Sequence, residues 1–163
     1  MRTSLTLEQT KQRALPVWLL IVTVLLIVAR IVSSRYPETE KADVDLVHWT
    51  DIGQARRVAA RSHRPILYEF SAAWCGPCHA LERDVFMDPK LAAKINKRFV
   101  AVRVVDTQRE QGHNAPDVQF LMDRYSVNAF PTVVIAAADG SVRDRVVGYP
   151  GPDKFAALID NVR

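Results

Sequence analysis

The stretch PILYEFSAAWCGPCH, residues 65–79, decides the fold. Its first part, Ile66 to Phe70, is a short apolar run opened by Pro65 and reads as a buried strand. Its last part, Trp74-Cys75-Gly76-Pro77-Cys78, holds the only two cysteines of the chain, two residues apart. The pair therefore sits where a strand turns into a helix, a position at which a thiol becomes a reactive thiolate. A bridge closing so short a loop removes little chain entropy, so a purely structural staple would add little stability there. The unpaired N–H groups and positive dipole end of a helix start stabilise an anion, so the Cys75 thiol is expected below its free pKa of about 8.5. Cys75 is the expected nucleophile. Cys78, one turn on and shielded, is the expected resolving thiol that attacks Cys75 and releases a mixed disulfide.

Working outward, Asp51 is placed to cap a helix with Ile52, Ala55 and Ala59 on one face. Cys75 onward reads as a helix to about Phe86. Asp88-Pro89 gives a cap followed by proline at the first helical position, starting a helix to about Lys97. The valine-rich run Phe99 to Val105 reads as a second strand. Asp106 to Asp117 (DTQREQGHNAPD) is a polar loop, and Val118, Leu121, Met122 and Tyr125 then recur at helical spacing. Thr132–Ala137 and Ser141–Val147 flank Ala138-Asp139-Gly140, where Asp-Gly signals a tight hairpin. Asp153 is the expected cap of a last helix buried through Phe155, Leu158, Ile159 and Val162. Crossover helices between the first strands predict an α/β domain with a central mixed sheet flanked by helices.

A different physics governs the first residues. From Leu15 to Val32 the run LPVWLLIVTVLLIVARIV carries one charge, Arg30. As a helix it reaches roughly 27 Å, near the thickness of a bilayer's hydrocarbon core. Residues 15–32 are thus expected to form an uncleaved transmembrane anchor, with a cleaved signal peptide ending near Val32-Ser33-Ser34 and a soluble buried helix as the alternatives. Residues 1–14 form a short tail, 33–47 (with Pro37) a polar tether, and 48–163 the folded domain. Basic residues flank the run equally on both sides, but Lys11 and Arg13 abut it as in a signal anchor. The expected arrangement is a single-pass protein of a bacterial inner membrane with its large domain in the periplasm.

The net charge of +4 lies entirely within residues 1–35, which hold five basic residues and one acidic residue. The remainder is formally neutral, so no nucleic-acid partner is expected.

The string WCGPC after a buried strand, the segment Phe130-Pro131-Thr132 ahead of the hairpin and Gly148 after it resemble, in this order, the thioredoxin superfamily across roughly residues 46–163. The run ILYEFSAAWCGPCHALERDVFMDPKL is most similar to the carboxy-terminal thioredoxin-like domain of the DsbD thiol reductases, and more loosely to membrane-tethered TlpA-type thioredoxins. The resemblance implies a thioredoxin-like fold and a thiol–disulfide oxidoreductase whose only redox group is the reversible Cys75–Cys78 disulfide, with no bound cofactor and no metal. Its implied partners are protein thiols and disulfides and a membrane or soluble thiol electron donor.

The resemblance also implies roles. Glu69 stands where thioredoxins keep a buried acid on the strand before the motif, usually Asp. Desolvation there is expected to raise its pKa toward the range useful for accepting the Cys78 proton. The lysine that accompanies this acid in the family is replaced here by Val102. Pro131 is implied to be cis and to pack beside the disulfide, with Phe130 and Trp74 contacting substrate. Gly76 and Pro77 are the dipeptide that tunes redox poise. Gly-Pro is typical of reducing thioredoxins, near −270 mV, and not of the strong oxidant near −120 mV. The loop 106–117 is longer than in a minimal thioredoxin, and His113 within it is a weak candidate for partner contact.

Other readings compete. Cys75 to His79 is formally a c-type haem attachment run, although Trp74, Pro77 and Phe130-Pro131 fit a thioredoxin better. A zinc site would need two further ligands at suitable spacing, with His79 adjacent to the pair and His113 in a loop. Within redox chemistry the alternatives are a disulfide oxidase or isomerase, or a thioredoxin serving cytochrome c maturation. The alternative of another class is a non-catalytic adaptor that binds extended segments across Phe130 and Pro131.

Overall fold

A computed structural model of the protein describes residues 17–35 and 46–162. The chain divides into two units, Met1–Ala42 and Asp43–Arg163. In the first, helix α1 covers Val17–Arg35. Its side chains at Val17, Trp18, Leu25 and Leu26 are each more than half exposed. Among the described residues no helix is long and apolar enough to cross a membrane. The expected tail 1–14, the first two residues of the expected anchor and most of the tether lie outside the described residues.

The second unit is built on strands β1 (Ile66–Ala72), β2 (Val100–Asp106), β3 (Thr132–Ala136) and β4 (Val142–Val147), in the order β2-β1-β3-β4. β1 pairs with β2 in parallel and with β3 antiparallel, and β3 with β4 antiparallel. This is the mixed sheet that the crossover helices predicted. A single parallel bridge from Trp49 to Ala101 extends it beyond β2.

β1 is paired on both sides and covered on both faces, which explains its nearly continuous apolar sequence. Side chains alternate along it. Ile66, Tyr68 and Phe70 enter a cluster with Val102, Leu121, Tyr125 and Val134. Leu67 enters the opposite cluster with Phe86, Ile95, Val133, Phe155 and Ile159. The helices that supply these faces are α2 (Ile52–Ser62), α3 (Gly76–Leu81), α4 (Pro89–Arg98), α6 (Pro116–Arg124) and α7 (Pro152–Asn161), while the short α5 (Gln108–Gln111) buries no side chain.

Several helix starts follow the predicted chemistry. The Asp51 carboxylate accepts from Gly53 N at 2.9 Å, and Asp88 accepts from Lys90 N and Leu91 N ahead of Pro89. Such caps satisfy N–H groups that the first turn leaves without partners.

Four local differences have identifiable causes. The helix begun at the cysteines does not run regularly to Phe86. It widens into a π turn over Glu82–Phe86, where Met87 N donates to Glu82 O at 2.9 Å. This wider turn keeps both Val85 and Phe86 buried. The last helix is not capped by Asp153, because Pro152 occupies its first turn and Gly151, at φ 98°, precedes it; Asp153 lies inside the first turn. The polar loop after β2 contains the short helix α5. Finally, α6 begins at Pro116, two residues before its apolar stripe, since proline fits the first helical position.

Tyr68 is 2% exposed, its ring 5.4 Å from that of Tyr125. Burial first, and the neighbouring Tyr125 next, push its phenol up to about 12. The Tyr149 phenol is also pushed up to about 12, by burial and then by the Asp84 carboxylate. A phenol whose folded pKa lies above its unfolded value near 10 holds its proton more tightly when folded, so the stability it contributes is complete below pH 10 and lost as pH rises toward 12. Urea unfolding midpoints should thus fall progressively between pH 10 and 12, with Tyr68→Phe flattening that fall; an unchanged slope in Tyr68→Phe would contradict this account.

Candidate active site

β1 ends at Ala72, and the chain turns over Ala73 and Trp74 into α3. Cys75 N donates to Ala72 O at 3.0 Å, closing the turn. Cys75 is the cap of α3: its Sγ accepts from Cys78 N at 3.2 Å. The sulfur thus takes the place of a capping oxygen at the positive end of the helix. Pro77 lies in the first turn, where its missing N–H costs nothing. Gly76 has open space around the position of a Cβ.

Cys75 and Cys78 form a disulfide with Cα atoms 5.3 Å apart. Both are buried, Cys75 at 3% and Cys78 at 6%, so exposure does not separate them; position on the helix does. They cluster with Ala72, and Phe130 packs on them. The Phe130–Pro131 bond is cis, and Gly148 N donates to Pro131 O at 2.7 Å, joining the three separated sequence features at one end of the sheet. Trp74 is 49% exposed and meets Phe130 edge-on with ring centroids 5.9 Å apart.

Glu69 is 3% exposed in the central strand, on the Leu67 face. Its Oε2 accepts from Ser71 Oγ at 3.1 Å and lies 3.6 Å from Arg103 Nε. Arg103 also reaches Glu82 at 3.1 Å and places its guanidinium 4.3 Å from the Trp49 ring centroid. A cleft of about 150 Å³ is lined by Glu69, Ser71, Cys78, His79, Glu82 and Arg103, among others. The buried acid and the second cysteine therefore border the same space. The buried acid is thus met by one hydroxyl donor and one guanidinium on the wall of the cleft that Cys78 borders.

Sequence reasoning named Cys75, Cys78, Glu69, Trp74, Phe130 and Pro131, of which the structure sets Glu69 in the middle of β1, bordering the same cleft as Cys78, and gathers the others near the carboxyl end of that strand. It missed Arg103 and Glu82. The expected lysine position, Val102, is fully buried on the other face of the sheet, whereas the parallel register pairs Glu69 with Arg103. The alternation Val100, Val102, Val104 on one face and Ala101, Arg103, Val105 on the other carried that signal. His113 lies in the exposed loop with its Nδ1 3.0 Å from Gln111 O. The ring of His79 is held by Ala73 O at 3.0 Å, and among the described residues no group of three His, Cys, Asp or Glu could hold a metal.

The fold and the paired cysteines define a thioredoxin-like domain with a CXXC disulfide at the start of a helix. Residues 52–163 match the family described as thioredoxin-like domain, and the chain belongs to it. It is 28% identical over 111 residues to the thiol:disulfide interchange protein DsbD of Ralstonia nicotianae, covering 68% of this chain and 17% of that protein. It is 34% identical over 113 residues to Thioredoxin-2 of Pyricularia oryzae, covering 69% of this chain and 57% of that one. The chain thus spans between about a sixth and just over half of these relatives' lengths. Among solved structures, a DsbH oxidoreductase superposes with a TM-score of 0.62 at 19% identity, covering 77% of this chain and 89% of that one. The oxidised DsbD carboxy-terminal domain of Neisseria meningitidis gives 0.55 at 24%, covering 72% of this chain and all of that one. At these identities the superpositions speak for the fold.

Arg103 is partly exposed, so losing it should cost less than breaking a fully buried pair. Arg103→Met is expected to destabilise the oxidised protein by about 1–3 kcal/mol. Adding Glu69→Gln should recover most of that loss, because the double change removes the carboxylate left behind. Urea unfolding of the four proteins measures the coupling, and strictly additive effects would show that the two side chains do not interact.

Proposed function

We propose that the protein is a membrane-anchored thiol–disulfide oxidoreductase that reduces or exchanges protein disulfides on the periplasmic side of a bacterial inner membrane. The observation that carries this reading is the Cys75–Cys78 disulfide, with Cys75 Sγ accepting the Cys78 N–H at the helix start and Cys78 facing the cleft of Glu69. Membership of the thioredoxin-like family and the Gly76-Pro77 dipeptide support the same direction.

In the reduced protein the Cys75 thiolate attacks one sulfur of a partner disulfide. A Cys75–partner bond forms, the partner's S–S bond breaks, and the leaving sulfur departs as a thiolate that takes a proton from water. Glu69, acting across the cleft directly or through water, accepts the Cys78 proton. The Cys78 thiolate then attacks Cys75 Sγ, forming the intramolecular disulfide and releasing the second partner sulfur. Two electrons have passed to the partner, and a thiol donor returns the protein to its dithiol form. Trp74 and Phe130, beside the disulfide, offer the apolar surface on which the partner segment rests. No cofactor or metal enters these steps.

The anchor rests on the length and composition of the apolar run 15–32. The periplasmic placement rests on Lys11 and Arg13 ahead of that run.

Cys75→Ser should lower insulin disulfide reduction at least about 100-fold, and Cys78→Ser should accumulate mixed disulfides through Cys75 in membranes. Failure to trap partners would favour the adaptor reading. The reduction potential is expected near −270 mV, and a value near −120 mV would assign the protein to disulfide formation instead. For topology, alkaline phosphatase fused after Arg163 should be active, whereas an inactive fusion with an active cytoplasmic reporter would overturn the periplasmic assignment.

A further inference from the structure

We infer that Arg109, on the loop between β2 and α6, forms with Trp74 a cationic docking lip that selects partner segments carrying an Asp or Glu beside their reactive cysteine. This rests on the disulfide-exchange reading above and names the substrate class it would favour.

The loop is a built structure. Asn114 Nδ2 donates to the carboxylate of Asp106, itself 7% exposed, at 2.7 Å, and Asn114 Oδ1 accepts from Thr107 N at 2.7 Å. Thr107 Oγ1 donates to His113 O at 2.9 Å, and Gln108 Nε2 donates to Gly112 O at 2.7 Å. Gly112, at φ 76°, ends α5 in the left-handed conformation that suits glycine. These bonds fix the path of α5, and its Arg109 guanidinium carbon lies 5.4 Å from the Trp74 ring centroid.

Trp74 in turn meets Phe130, which packs on Cys75 and Cys78. Arg109, itself exposed, is therefore two side-chain contacts from the disulfide. Stacking on an aromatic face orients a guanidinium without neutralising it. Among the described residues Arg109 forms no ion pair, although Glu110 is its neighbour in sequence. A partner that lays an extended segment over Trp74 and Phe130 brings its flanking residues toward this charge. A carboxylate there gains an attractive partner, and a lysine there meets repulsion.

The test uses the full-length protein in detergent, reduced and freed of reductant. Three peptides, identical except for Asp, Asn or Lys next to a single cysteine, are each linked to thionitrobenzoate as a mixed disulfide. Release of the coloured thiolate gives the rate of attack. The Asp peptide should react up to about fivefold faster than the Asn peptide, and the Lys peptide slower, the scale of an exposed ion pair. The spread should shrink as salt rises from 50 to 500 mM. Arg109→Glu should invert the order, Arg109→Ala should collapse it and Arg109→Lys should keep its sign. Equal rates for the three peptides, or an order that Arg109→Glu and Arg109→Ala leave unmoved, overturn the docking lip while exchange at Cys75 stands. Absence of reaction with every peptide and with hydroxyethyl disulfide overturns the exchange reading, and the lip with it.

Discussion

The site depends on one constraint, that β1 is an interior strand, paired with β2 on one side and β3 on the other and covered over each face. A strand so placed cannot fray or shift register without exposing two apolar clusters, so its carboxyl end is held as firmly as any point in the domain. Cys75 follows three residues after that end, at the start of α3. The sulfur's position relative to the helix is therefore set by the core and not by the loop. Phe130 and Pro131 reach the same end because β3 pairs antiparallel with β1, which brings the residues ahead of β3 alongside those that follow β1. Ligand sites of open α/β sheets lie at the carboxyl ends of parallel strands for the same geometric reason.

The same burial creates a difficulty, because it places a carboxyl group in the core. An acid there needs hydrogen bonds or an opposite charge, and Glu69 has both in Ser71 and Arg103. Arg103 is well suited to the task. Its long stem crosses apolar surface, its fork reaches two carboxylates, and its flat face covers Trp49. A lysine could supply the charge but could not span the two acids in a planar fork while stacking on indole. The arrangement also joins the buried acid to Glu82 in the π turn, so the irregular turn positions a charged group as well as two buried side chains.

Much of this was legible in the sequence because it follows from short-range rules. The caps at Asp51 and Asp88, the strand before the cysteines and the Asp-Gly hairpin each reflect residues acting on their own backbone. What escaped was set by contacts across the chain. Arg103 was passed over because the position was matched along the sequence, whereas pairing across the sheet depends on register. The capping of α7 was misplaced because a Gly-Pro start outranks the aspartate that follows it. The π turn left no local signal, since it is tied to the burial of two successive side chains, Val85 and Phe86, in one cluster. In the loop after β2, composition indicated polarity, but only the folded arrangement of Asp106, Thr107 and Asn114 shows that it has a fixed path.

The disulfide also divides two kinds of work between two sides of one helix start. On one side, Glu69, Arg103 and Glu82 line the cleft that Cys78 borders, the side to which the proposed mechanism assigns the proton of Cys78. On the other, Trp74, Phe130 and Arg109 present a ring-and-cation surface and act on the partner's shape and charge. The proton side is built from the central strand and its parallel neighbour, whose residues are fixed by the core. The docking side draws on a loop whose Arg109 is exposed and on the half-exposed Trp74, with Phe130 partly buried against the disulfide beneath them. The charge of the docking side can therefore be altered at an exposed loop residue, while any change at Glu69 or Arg103 acts on side chains held by the sheet. That asymmetry follows from placing a reactive pair at the boundary between a buried strand and an exposed turn.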